Sequence, residues 1–289
     1  MAKLAERVSD RRLLGLIGRM LKAKVVLPDG VQIVSEQGVP QGGPLSPLLS
    51  NVVLDELDRE LDRRGHRFVR YADDAKVYVR SERAGQRVMT SLCEFIEGRL
   101  RLKVNKAKSA VARPEDRHFL GFRLRLDPYA GTVEVLLSER SKRDAMQRVR
   151  ELTPRTWGST LLACISGINA WLRGWYGFFG IVSASEMQAL RKIDAHLRRR
   201  LRAIQLRHWK RKRTIARNLI KLGVKRDSVW RQLYAGRKSW WALSHTHVVD
   251  QGLRNAYFAK RGLIFLVDLH RNSHQQIVVP KSPQLVLWG

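Results

Sequence analysis

FVRYADDAKVYVR, residues 68–80, sets two adjacent aspartates, Asp73 and Asp74, between two runs of strand-forming residues. Val69 and Tyr71 before the pair, with Val77 and Val79 after it, alternate as strand residues do, and an Asp-rich centre suits a tight turn between antiparallel strands. The spacing predicts a hairpin with both carboxylates at or beside its tip. Two roles for them stay open at this level. Aspartates satisfy turn geometry on their own. Two neighbouring carboxylates in a basic chain are also natural ligands for Mg²⁺, which prefers carboxylate oxygen and keeps several waters. In two-metal phosphoryl chemistry such ions activate an attacking hydroxyl and stabilise the leaving oxygen of a triphosphate.

Working outward, QGVPQGGPLSPLLSNVVLDELDREL upstream begins with Gly38, Gly42, Gly43, Pro40 and Pro44, a constrained loop. Ser46 can then cap a helix carrying Pro47 at its first position and running to about Gly65, with Leu49, Val53, Leu57 and Leu61 recurring every four residues. Such a loop is either ordinary helix punctuation or a backbone that approaches a phosphate or base closely. Downstream, LRLKVNKAKSAVA carries Lys103, Lys106 and Lys108, either solvated or set beside a triphosphate. KVYV, SAVA and HFLGFRLRL have strand composition, and the glycine within the last of them marks a close approach of another backbone. Residues 2–23 and 82–100 have helical spacing.

The chain of 289 residues carries a formal charge of +29, an excess of cations that points to a polyanion, by default a nucleic acid. No apolar run approaches the roughly 18 residues needed to span a bilayer, and the amino terminus lacks the apolar segment of a secretory signal. The expectation is an intracellular, cytoplasmic protein, able to associate with the nucleoid and not with a membrane. Cys93 and Cys164 cannot make a zinc site between them and are expected to be buried free thiols.

The charge is uneven. Residues 1–137 hold 25 Lys/Arg against 18 Asp/Glu, whereas residues 138–271 hold 29 against 8. After the boundary near Ser138 helices dominate: Met187, Leu190, Ile193, Leu197, Leu201 and Ile204 keep one stripe of a helix and belong to a core. Between His196 and Arg217 stand Arg198, Arg199, Arg200, Arg202, Arg207, Lys210, Arg211, Lys212, Arg213 and Arg217, with no acidic residue among them. Such a run repels itself unless a polyanion neutralises it, so it is expected to bind nucleic acid. Trp209 within it can stack on a base or pack inward. Trp171, Trp175, Tyr176, Phe178 and Phe179 have the spacing of a core helix, while for Trp240 and Trp241 core and RNA contact stay open.

In order along the chain, GVPQGGPLSP (38–47), YADD (71–74), LKVNKAKS (102–109) and HFLGF (118–122) resemble the palm of a group II intron-encoded reverse transcriptase/maturase. GINAWLRGWYGFFG (167–180), LRRRLRAIQLRHWKRKRT (197–214) and the stretch from Asn218 to about Leu269 are similar to its thumb and maturase region, so about residues 1–270 are covered. The resemblance implies an α+β fold: a partial palm with a ferredoxin-like antiparallel sheet and helices over residues 1–137, followed by an all-α domain. Within that domain, residues 138–217 would be the thumb and the start of the maturase-specific region, 218–271 the C-terminal maturase region, and 272–289 an unassigned tail.

The same resemblance implies RNA-directed DNA polymerase activity, a nucleotidyl transfer, with two Mg²⁺ ions. Asp73 and Asp74 inherit the catalytic and metal-binding roles. Gln41, Gly42, Ala72 and Lys108 would border the incoming nucleotide, and Phe119, Leu120, Gly121 and Phe122 would hold the primer end. Partners would be intron RNA, whose fold the protein favours during splicing, with a DNA target and primer in the full-length family. The family's first catalytic aspartate and its fingers region precede the helix matched by LAERVSDRRLLGLIGRML, so this chain is expected to be truncated and inactive as a polymerase alone, either as a truncated gene copy or with an amino-terminal fragment supplied separately. Glu6 and Asp10 are no substitutes, and the family's endonuclease module is expected to be absent. The alternatives are a non-enzymatic RNA-binding splicing factor that keeps the palm as scaffold and a general basic DNA-binding protein.

Overall fold

The computed structural model describes residues 1–23, 25–26, 32–33, 45–154, 156–236 and 239–276. They form two compact units, Met1–Ala112 and Arg113 onward, each with its own core.

The first unit opens with α1 (Ala2–Ala5) and α2 (Arg11–Lys22). The spacing over residues 2–23 predicts one helix, but the structure breaks it at Asp10. That carboxylate accepts from the backbone N–H of Arg12 at 2.7 Å and of Leu13 at 3.2 Å. A side chain that bonds its neighbours' backbone competes with a continuing helix and favours a new start. Strands β1 (Val25–Val26) and β2 (Gln32–Ile33) pair antiparallel. In α3 (Ser46–Arg63), Pro47 lies in the first turn, where its missing N–H has no helical partner to lose. The N-cap position is Leu45, one residue before the expected Ser46.

Leu54, Leu57 and Leu61 of α3 are buried. Gly65, at φ 71°, lets the His66 N–H reach back to the Leu61 carbonyl at 3.0 Å, which ends the helix. The chain then reverses into β3 (Arg67–Tyr71), paired with β4 (Asp74–Tyr78) from Arg67↔Tyr78 to Tyr71↔Asp74. Phe68 and Val77, opposite one another, pack with Phe95 and Ile96 against the α3 leucines. Ser81 caps α4 (Glu82–Glu94), accepting from the Ala84 N–H at 3.2 Å, and a π-helical turn, Phe95–Arg99, follows. SAVA (109–112), for all its strand composition, joins no ladder. Val111 instead fills the notch over Gly85, where a Cβ would come within 2.5 Å of the valine methyl.

In the second unit β5 (His118–Phe119), β6 (Phe122–Leu126) and β7 (Val133–Leu137) form an antiparallel sheet in that order. Ser138, where the charge balance changes, caps α5 (Glu139–Leu152), and Thr160 caps α6 (Leu161–Phe179). Then come α7 (Met187–Trp209), α8 (Lys212–Lys221), α9 (Arg226–Tyr234), α10 (Trp240–Leu243), α11 (His247–Gly252), α12 (Asn255–Ala259) and α13 (Leu266–Gln276). The fold class is the α+β one predicted: small antiparallel sheets giving way to helices. The α7 stripe Leu190, Ile193, Leu197, Leu201 and Ile204 is buried as its period requires, and α7 packs against α5, α10 and α13. Cys164 is buried, and burial pushes its thiol up to about 12, whereas Cys93 is half-buried.

Two polar side chains position the last helix. Asp194 on α7 accepts from the N–H groups of Leu266 and Val267, each at 3.1 Å, and so caps α13 from across the core. Asn169 on α6 donates to the Gly262 carbonyl at 2.7 Å and accepts from the Ile264 N–H at 3.0 Å.

Candidate metal hairpin and nucleic-acid interface

The β3–β4 turn consists of Ala72 and Asp73, since Tyr71 and Asp74 are the last paired residues. Ala72 has φ 53° and Asp73 is not in the left-handed region. A positive φ at the first of two loop residues alone is the type II′ pattern, which favours glycine there. Alanine in that conformation stores roughly 1–3 kcal/mol of strain.

Arg70 opposes that strain. Its guanidinium donates to the Ala72 carbonyl at 2.7 Å, to Asn51 Oδ1 at 2.7 Å and to the Asp58 carboxylate at 2.7 Å. The tip is thereby tied to two residues of α3. Nothing in the local sequence singles out Arg70, because its partners lie 12 and 19 residues earlier.

Asp73 and Asp74 are both exposed at this tip, and Asp74 Oδ1 lies 3.2 Å from the Lys76 ammonium. Among the described residues no group of three or more His, Cys, Asp or Glu converges as a metal cage. Two adjacent exposed carboxylates still fit Mg²⁺, which is commonly held by one or two carboxylates, with water and substrate phosphates completing its shell. Gln41 and Gly42, with the rest of the Gly38–Pro44 loop, lie outside the described residues. Lys108 is exposed on a turn, its backbone N–H bonded to the Asn105 carbonyl at 3.1 Å and to Asn105 Oδ1 at 3.2 Å.

HFLGF forms the β5–β6 hairpin in the second unit, with Phe119 opposite Phe122 and a turn of Leu120 (φ 51°) and Gly121 (φ 83°). Two positive φ values mark type I′. The Gly121 carbonyl accepts from the Ser138 N–H at 2.9 Å and from Ser141 Oγ at 2.8 Å. A Cβ on Gly121 would come within 2.6 Å of Ser141 Oγ and 3.0 Å of Phe179, so the space over this glycine is taken by side chains of α5 and α6 where another backbone was expected. Phe122 lies 5.6 Å from the Phe178 ring and 5.2 Å from that of Phe179. Gly121 and Phe122 are thus packing residues, Phe119 is half-buried, and Leu120 is the exposed member of the four.

The basic run divides by burial. Arg199, Arg207, Lys210, Arg211, Arg213 and Arg217 are exposed, and Arg198, Arg200 and Lys212 are half-buried. Arg202 departs from the expectation of a surface cation. It is 8 % exposed, donates to the Leu253 carbonyl at 2.9 Å and pairs with Asp250, so it is a tie between α7 and α11. The physical reason is helical phase, which puts Arg202 beside Leu201 on the inward side of α7. Arg200 donates to Thr153 Oγ1 at 3.0 Å and to the Thr153 carbonyl, at the end of α5. Lys212 lies 5.0 Å from the centre of the Tyr234 ring. Burial, and then the charges of Arg150, Arg200 and Arg199, hold His196 below its ordinary range. Arg237 and Lys238, next to Trp240 and Trp241, lie outside the described residues.

Comparison with known proteins matches residues 5–124 to the family described as reverse transcriptase (RNA-dependent DNA polymerase) and residues 142–223 to the group II intron maturase-specific domain. Similar proteins include Protein YkfC of Escherichia coli (strain K12), 29% identical over 159 residues, covering 43% of this chain and 42% of that protein. The Putative COX1/OXI3 intron 2 protein of Saccharomyces cerevisiae is 34% identical over 61 residues, 21% of this chain and 7% of that protein. The chain therefore spans less than half the length of either relative. With the two matches in succession on one polypeptide, YADD and HFLGF inside the first and most of the exposed cations of α7 and α8 inside the second, the chain belongs to the group II intron-encoded reverse transcriptase/maturase family.

Proposed function

We propose that this protein binds the structured RNA of a group II intron, promotes its splicing and takes part in RNA-directed DNA synthesis. The observation that carries the proposal is the succession of a reverse-transcriptase match and a maturase match, the second containing Arg199, Arg207, Lys210, Arg211, Arg213 and Arg217 as an exposed cationic set. In this reading residues 1–137 serve as palm, 138–217 as thumb and the start of the maturase region, and 218–271 as its remainder. The cations of α7 and α8 contact phosphates, which gives affinity without sequence information. Selectivity then comes from the shape of the folded RNA. By favouring the intron fold that cuts and joins itself, the protein assists splicing without supplying a nucleophile.

Asp73 and Asp74 are proposed to hold Mg²⁺. When bound, that ion neutralises charge on the phosphoryl group being transferred to a primer hydroxyl. Asp73 and Asp74 contribute fixed carboxylates at a turn that Arg70 keeps in register, and Lys76 balances the Asp74 charge. Gln41, Gly42, Ala72 and Lys108 are proposed to border the nucleotide, and Leu120, at the tip of its hairpin, to meet the primer end.

Filter-binding titrations test the RNA-binding part: folded intron RNA is expected to bind more tightly than duplex DNA at matched salt, with affinity falling steeply as salt rises. Equal affinity for the two overturns it. Primer extension with Mg²⁺ tests the polymerase part: with an amino-terminal fingers segment supplied, extension is expected, and Asp73→Ala should abolish it and leave RNA binding unchanged. The second reading, a splicing factor that keeps the palm as scaffold, predicts RNA binding without extension even when that segment is supplied.

A further inference from the structure

The helical domain contains a cleft of about 210 Å³ between α7 and α10. Ala203, Ile204, Trp240 and Trp241 give it an apolar lining, and Arg200 and Arg207 a charged one. The two neighbouring tryptophans differ in role. Trp240 packs against the main core, as do Trp157, Trp171, Trp175, Trp209 and Trp230. Trp241 instead meets the His245 ring edge-on at 4.7 Å and carries the Arg200 guanidinium 5.7 Å from its centre. The cleft is smaller than the roughly 300–1,000 Å³ that encloses a drug-sized ligand. It suits one planar group.

An aromatic wall flanked by guanidinium groups, beside an exposed cationic helix, has the chemistry that holds an unstacked base: a π-face for the ring and positive charge for the adjoining phosphate. We infer that this cleft receives one unpaired nucleobase of bound RNA, stacked on Trp241, with the neighbouring phosphate neutralised by Arg207. The inference rests on the RNA-binding function proposed above and narrows it to one subsite.

The test uses the full chain and a stem-loop RNA carrying 2-aminopurine at one unpaired loop position, beside an otherwise identical RNA that is abasic there. The unmodified protein is expected to quench the 2-aminopurine and to bind the abasic RNA about 5- to 150-fold more weakly, the loss of one stacked base. Trp241→Ala should lose the quench and bind both RNAs equally, and Trp241→Phe should retain most of the difference. Ala203→Leu, which fills the cleft from the opposite helix, should mimic Trp241→Ala, so the result does not depend on how one tryptophan variant folds. Arg207→Ala should keep the quench and flatten the salt dependence by about one phosphate contact. The inference is overturned if the unmodified protein binds both RNAs alike, or if Ala203→Leu and Trp241→Ala leave the quench intact while circular dichroism reports a native fold. Binding of neither RNA would overturn the RNA-binding function along with it.

Discussion

The two compact units solve the same problem with very different means. The first centres on four buried leucines, Leu54, Leu57, Leu61 and Leu100, and relies on polar ties, among them Arg70 to Asp58 and Arg64 to Glu60. The second builds one continuous core along α7 and places its cations on the outside of that helix and of α8. A small core leaves little burial to fix the geometry of a hairpin tip, so directional hydrogen bonds must do it. A large core fixes the helices chiefly by packing, with a few buried polar ties such as Asp194 and Arg202, which leaves their outer faces open for charge. The hairpin carboxylates should therefore be sensitive to single polar substitutions, and the cationic surface insensitive to them.

The largest effect should come from the core of the second unit. Leu201→Ala, at a fully buried position, is expected to cost about 2–5 kcal/mol in urea denaturation. A much smaller loss would mean that α7 is not the centre of that core.

Asp194 sharpens the same contrast through pH. Burial raises its carboxyl from 3.8 to about 6, against the opposing pull of the Val267 and Leu266 N–H groups. The folded protein then holds more protons than the unfolded chain between those two values. The contribution of Asp194 is thus fully present below the lower value and is lost as pH rises through the upper one, in total up to about 3 kcal/mol. Urea midpoints measured from pH 4 to 7 should carry this slope in the unmodified protein and lack it in Asp194→Asn.

In the first unit, Arg70→Ala should cost about 1–3 kcal/mol, because it leaves Asp58 and the Ala72 carbonyl without their donor. Its test is a split readout, with Mg²⁺ dependence of primer extension shifting to higher concentration while binding of intron RNA stays unchanged. Ala72→Gly should work in the opposite direction, relieving the positive φ and stabilising the unit by less than the roughly 1–3 kcal/mol of strain. Smallest of all, Arg213→Ala should change stability by under about 0.5 kcal/mol and reduce the salt slope of RNA binding by about one contact. If it unfolded the protein, the division between packed core and open cationic face would fail.

Much of this was legible in the sequence where the signal was local or periodic. The YADD turn followed from alternation on both sides of two aspartates, and the α7 stripe from steps of three and four. Signals that depended on a partner elsewhere in the chain were not legible. Arg202 read as one more surface cation because composition carries no helical phase relative to a neighbour. SAVA read as a strand because a β-branched valine among small residues resembles one, although Val111 is taken up by the gap over Gly85. HFLGF was read for the close approach of its glycine, but only the folded chain shows that the approach is made by Ser141 and Phe179.

By itself, the sequence determined the hairpin with its paired carboxylates, the amphipathic helices and the excess of positive charge. Each depends on neighbours within one or two turns of the same element. Tertiary structure alone decided which arginines became ties, how Arg70 steadies a strained turn, where α13 begins and which of two adjacent tryptophans packs against the main core. Those outcomes depend on hydrogen bonds and packing between residues from 12 to more than 90 positions apart, and no local preference encodes such contacts.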